Sequence, residues 1–244
     1  MYVLDAQQPT GKVIKINEDL QEEVLFDGLV IPRGMAFCNG AVYWVSRLSN
    51  EQNFYQLNMF DVDSAMHSTP IEQLEGTPLA LDCAENEVVI ASRELVIGYN
   101  IETGLTRTVF TNTPPNTEEQ FESICANQNH LWLLVQTTIR GDDGLRRTSA
   151  MRELKSDTLV PIDWGLSSPI NCLAIEDKLY LPGSKPPDEI GTPSGGISVW
   201  DGQSWSQALD EEGSRISVAD AVLLNGSLYF TEFNGDRIWR FRLD

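Results

Sequence analysis

Long apolar runs, a surplus of positive charge, histidine and helical periodicity are all scarce in this chain, and each scarcity excludes something. Apolar residues make up 41% of the 244, yet the uninterrupted runs are far too short to cross a membrane. Seventeen basic residues stand against thirty-six acidic ones, a formal charge of −19. Nucleic acid, whose phosphates need a basic patch, is therefore not an expected partner, and neither is an anionic membrane surface. The acidic excess reads first as a solubility device, with a cationic partner or a divalent metal as the sharper alternative. Only two histidines occur, His67 and His130, and the turns nearest them offer no obvious partner. Gly-x-Ser-x-Gly, a phosphate-cradling glycine loop and His-Glu-x-x-His are absent, so no catalytic set is recognisable. The opening MYVLDAQQPTGKVIKI lacks a basic start followed by an apolar stretch, so no secretory signal is expected there.

What the chain has instead is a recurrence of short apolar strands. LNGSLYFTE around Tyr229 has counterparts around Tyr180, Trp132, Val89, Tyr43 and Tyr2, at spacings of 49, 48, 43, 46 and 41 residues. A period in the forties built from short strands is the signature of propeller blades of about four strands each. Inner strands precede five of the anchors (RGMAF, LALDC, ESICA, NCLAI, DAVLL), and third and fourth strands follow them. Several strands are apolar on both faces, as a sheet sandwiched between neighbours requires. Helical periodicity and linkers are missing, which points to one all-β domain over 1–244. The expected architecture is a six-bladed β-propeller of up-and-down four-stranded blades. The first blade lacks its inner strand and the last ends at Asp244 after its third, so both are incomplete.

Cys38, Cys83, Cys125 and Cys172 fall one per repeat, 45, 42 and 47 residues apart, on or beside inner strands. Facing sheets lie about 10 Å apart, too far for a disulfide. All four cysteines are therefore expected to be reduced and buried, and with no signal sequence a cytoplasmic monomer is the expected state.

Strands that run up and down alternate their turns between two faces. The long connections 112–120, 140–147 and 184–196 all fall on the face opposite the short hairpins Asn39-Gly40 and Asn225-Gly226. Long loops on a rigid scaffold usually carry the site, so a small molecule, peptide or protein is expected on the loop-rich face. Arg47 and Arg93 hold the same repeat position after a serine, where both guanidiniums can approach one anion. Arg140-Gly141-Asp142 spells an adhesion tripeptide on one of these connections.

VADAVLLNGSLYFTEFNGDRIWRFRLD and SPINCLAIEDKLYLP resemble the blades of calcium-dependent six-bladed propellers of the senescence marker protein/gluconolactonase-like family, with the YWTD and NHL propellers as related look-alikes. The resemblance implies a calcium ion at the channel mouth, with Asn171 and Asp220 matching two of its ligands. The same register gives Ser123, Ala80 and Gly34 in other blades. Arg33 stands where the family has glutamate, which removes a ligand and repels a cation. Asp220 and Asn171 can equally be bonding strand-edge backbone groups. The expected function is non-catalytic binding around the channel, involving Arg33, Arg47, Arg93 and Ser123, with no cofactor required. The rival is a calcium-dependent lactonase or related hydrolase with Asp220 as metal ligand and general base. A third reading is a piece of an extracellular YWTD-type receptor.

Overall fold

The protein is described by a computed structural model covering residues 1–6, 10–17, 19, 21–49, 54–93, 95–111, 119–127, 129–141, 144–156, 158–162, 168–169, 171–185, 194–207, 218–224, 227–232 and 238–242. The chain divides into two compact units, Met1–Pro115 and Asn116–Asp244, each taken here by itself. Both consist of antiparallel strands and turns, with no helix among the described residues.

In the first unit, β1 (Tyr2–Asp5), β2 (Thr10–Ile16), β3 (Glu22–Cys38), β4 (Ala41–Arg47), β5 (Tyr55–Asp61) and β6 (Met66–Leu74) hydrogen-bond in sequence order. A second sheet holds β7 (Pro78–Ala84), β8 (Glu87–Ser92), β9 (Leu95–Asn100) and β10 (Thr106–Thr111). β3 is unusually long because its two halves have different partners. Residues up to Val30 face β2, and Val30 onward faces β4. The backbone turns between these halves, with Ile31 at φ 44° and Gly34 at φ 57°. Gly34 meets two demands that a side chain resists: its positive φ, and a neighbour so near that a Cβ would sit 3.1 Å from the Leu81 amide nitrogen.

β4 is buried along six of its seven residues and explains the AVYWVS run. Tyr43 and Val45 pack with Leu81, Val88 and Ile90 of the second sheet. Val42 and Trp44 point the other way and pack with Val13 of β2 and with Phe26 in the first half of β3. Asn39 and Gly40 take φ of 47° and 80° between β3 and β4, the pair of positive angles that an Asn-Gly hairpin turn needs.

In the second unit, β11 (Glu119–Ala126), β12 (Leu131–Gly141), β13 (Gly144–Glu153) and β14 (Thr158–Pro161) form one sheet. β15 (Ser168–Pro169), β16 (Leu173–Ile175), β17 (Lys178–Lys185), β18 (Ser194–Trp200) and β19 (Trp205–Gln207) form another, and β20 (Val218–Leu224), β21 (Ser227–Glu232) and β22 (Ile238–Arg242) a third. Leu134 and Met151 pack with Leu179 and Leu181 between the first two sheets. Tyr180, Ile197 and Val199 pack with Leu228 and Phe230 between the second and third.

All six anchors lie in strands, and five of them occupy a strand paired on both sides. The described residues make five sheets, four of them with four or more strands, where six separate blades were expected. β3 is the reason, since its continuity joins the first three strands to the next sheet. The 140–147 connection also differs from the expected loop. β12 runs to Gly141 and β13 resumes opposite it at Gly144, a hairpin extended by the β-branched Thr137-Thr138-Ile139. Asp142 of the adhesion tripeptide lies outside the described residues, as do 112–118, 186–193 and the Asn225-Gly226 turn.

The cysteines overturn the reduced-thiol expectation. Cys38 pairs with Cys83 and Cys125 with Cys172, at Cα separations of 5.7 and 5.5 Å. The 10 Å spacing applies to the bodies of facing sheets, whereas these residues sit where β3 meets β7 and where β11 meets the start of β16. There the backbones approach closely, as the space around Gly34 attests. Two disulfides point to an oxidising compartment and remove the cysteine argument for the cytoplasm.

Candidate functional site

In the first unit the predicted arginines sit in three different settings. Arg33 is exposed in β3 opposite Val45, and Arg93 is exposed just after β8. Arg47 is half-buried, its guanidinium 5.1 Å from the centroid of the Tyr55 ring. Its Nε and the Tyr55 hydroxyl are buried without a hydrogen-bond partner. The serines preceding Arg47 and Arg93 are both buried: Ser46 accepts from Asn58 Nδ2 (3.1 Å), and Ser92 donates to the Leu95 carbonyl (3.0 Å).

In the second unit, Ser123 and Asn171 are brought together. The buried Ser123 hydroxyl donates to Asn171 Oδ1, which also accepts from the Cys172 amide at 2.8 Å. In the first unit the corresponding Gly34 lies against Ala80, so the common register assigned to these four positions recurs in both. Asp220 is placed in β20 opposite Thr231, and its side chain is outside the described residues. The calcium expectation rests on Asp220, whose side chain is not described. Of the second expected ligand, the Asn171 oxygen accepts from two donors, and no three His, Cys, Asp or Glu residues among those described are grouped for a metal.

The group that sequence reasoning missed lies at the other ends of the strands, where the short hairpins are. A cavity of about 560 Å³ opens among the turns joining β11 to β12, β13 to β14, β16 to β17 and β18 to β19. Trp132, Trp200, Val160 and Leu179 supply apolar walls, and His130 and Glu153 stand beside them. His130 sits between two carboxylates, with Nδ1 3.7 Å from Glu153 Oε1 and Nε2 4.0 Å from Asp177 Oδ1. Glu153 is 4% exposed. Its Oε1 and His130 Nδ1 are both buried without a hydrogen-bond partner.

Burial pushes the Glu153 carboxyl up, but hydrogen bonds from the Ser156 hydroxyl and amide and the Lys155 amide, with the His130 charge, outweigh it. The net result is a carboxylate held below its ordinary range. A charge is thus kept in an enclosed place, with one oxygen facing His130 and free of any hydrogen bond. The only hint in the sequence is that His130 and Asp177 lie in the turns just before anchors Trp132 and Tyr180, two and three residues ahead of them.

These sheets define the protein as a β-propeller. Among solved structures the chain is similar to one from a nidogen/laminin complex, with TM-score 0.66 and 12% identity over 99% of this chain and 89% of that one. It is also similar to the β-propeller domain of the Trilobed protease from Pyrococcus furiosus, which has an open velcro topology (TM-score 0.53, 13% identity, 100% and 76% covered). A luciferin-regenerating enzyme matches with TM-score 0.59 and 10% identity over 86% and 72%. At such identities the likeness establishes the fold. No family model matches the chain, and no curated protein sequence does.

Proposed function

We propose that this protein is a non-catalytic binding propeller of an oxidising, extracellular setting, and that it holds its ligand in the hairpin-side cavity of the second unit. The observation that carries this reading is the buried Glu153 oxygen with no hydrogen-bond partner in the lining of that cavity. An ionised acceptor left unpaired is stabilised when a ligand supplies the donor. Apolar walls with a few convergent polar groups are the usual make-up of a ligand site. The two disulfides support the compartment, and the likeness to a chain of the nidogen/laminin complex supports a protein as the partner class.

This reading takes residues 1–244 as one propeller domain of six blades. It counts β1, β2 and the first half of β3 as one blade, and the second half of β3 with β4, β5 and β6 as the next. The change of partner within β3 and the opposed burial of Val42 and Tyr43 support that count. Arg33, Arg47 and Arg93 in the first unit, and Ser123 in the second, are secondary candidates, each within its own unit.

The rival is the calcium-dependent lactonase, in which Asp220 and Asn171 hold the ion; the likeness to a luciferin-regenerating enzyme keeps it in view. Calcium titration by calorimetry, on wild type and on Asp220→Ala, separates the two. A binding module of this kind gives no calcium heat with either protein. Saturable heat in wild type that Asp220→Ala abolishes would overturn the proposal in favour of the enzyme.

A further inference from the structure

The chemistry of the cavity narrows the ligand class, an inference that rests on the binding reading above. Several donors of the lining are already engaged. Lys155 Nζ donates to the Asn129 carbonyl at 2.8 Å, Asn127 Nδ2 donates to the Glu176 carbonyl at 2.5 Å, and the Ser156 hydroxyl is taken up by Glu153 and Thr158. Asp201 and Glu153 Oε2 are likewise engaged as acceptors, but two acceptors stay open. Glu153 Oε1 has no donor, and the Asp177 carboxylate is 87% exposed at the cavity edge. Glu153, Glu176, Asp177 and Asp201 bring four carboxylates to the lining against the two ammoniums of Lys155 and Lys178.

A sugar presents neutral hydroxyls, which gain less than a cation from the carboxylate excess of the lining. A phosphate or carboxylate only accepts, and would meet the wrong charge. A group that only donates and carries positive charge matches what is left. The indoles of Trp132 and Trp200, with Val160 and Leu179, fit an apolar stem leading to that group, and indole faces attract cations. We infer that the cavity receives a primary ammonium or guanidinium on an apolar stem, the chemistry of a lysine or arginine side chain. His130 stands between the two carboxylates, 3.7 Å from Glu153 Oε1 and 4.0 Å from Asp177 Oδ1, at the point where the cation enters.

The test is calorimetry, with indole fluorescence in parallel, using N-acetyl-lysine methylamide, butylamine, N-acetyl-norleucine methylamide and glucose. The lysine compound is expected to bind saturably, and at least tenfold more weakly to Glu153→Gln and to Asp177→Asn. Asp177 is exposed, so its variant folds even if the buried Glu153 change does not. Norleucine methylamide, which has the stem without the charge, and glucose are expected not to bind. Tighter binding of the lysine compound than of butylamine identifies a partner protein as the source of the cation; equal binding identifies a free amine. Glucose binding that Trp200→Ala abolishes overturns the cation class while leaving the binding module intact. Failure of all four probes, or lysine binding unchanged in both carboxylate variants, overturns the inference; the first of these results together with calcium-dependent heat sinks the binding module as well.

Discussion

Replacing Cys38 and Cys83 together by alanine tests the correction that matters most to where this protein works. The bond joins residues 45 apart. Cross-linking a loop of that length removes denatured-state entropy worth about 4 kcal/mol at 25 °C in the chain-entropy account. The Cys125–Cys172 bond, closing 47 residues, contributes about the same. For a chain of this size 4 kcal/mol corresponds to a fall of about 8–16 °C in melting temperature. Equilibrium urea unfolding followed by tryptophan fluorescence reads the loss directly, and reductant is expected to destabilise wild type by at least as much. Thiol titration in guanidinium without reductant is expected to find no free cysteine. Four titratable thiols, or a double variant that unfolds at the wild-type midpoint, would refute the reasoning and restore the reduced state read from the sequence.

Two further outcomes test packing and charge. Gly98 lies between β8 and β10, and a Cβ there would sit 3.0 Å from Glu87 Oε2 and 3.2 Å from Val109 Cγ2. Arg107 grips Glu87 through two bonds of 2.7 and 2.6 Å, so Gly98→Val is expected to lose about 1–3 kcal/mol by overpacking; unchanged urea stability would contradict it. Glu153 has a lowered folded pKa, so its contribution is fully present above the ordinary glutamate range and is lost as pH falls through the folded value. Unfolding measured across the acidic range is expected to be less pH-dependent in Glu153→Gln than in wild type, and identical slopes would remove the charged-carboxylate account.

The strands were legible because their signal is local. Alternation, anchor spacing and the Asn-Gly turn at Asn39 all follow from side chains a few residues apart, and each reappears as a strand or turn. The both-face burial of β4 was legible for the same reason. Three features were hidden because they depend on distances between repeats. The disulfides arise from inner strands converging more closely than the bodies of the sheets. The continuity of β3 runs through a turn at Ile31 and Gly34 that flanks Pro32, a residue that in the sequence reads as a break between strands. The His130 site needs Glu153 from the end of β13 and Asp177 from the turn before β17, residues 23 and 47 positions away. The long connections mark one set of strand ends, whereas the cavity of the second unit occupies the other.

A crystal soaked with N-acetyl-lysine methylamide tests the central claim most directly. The account predicts density between Trp132 and Trp200, with the ammonium within hydrogen-bond reach of Glu153 or Asp177. A cavity left as it was, with the compound on the loop-side arginines or nowhere on the protein, would contradict it.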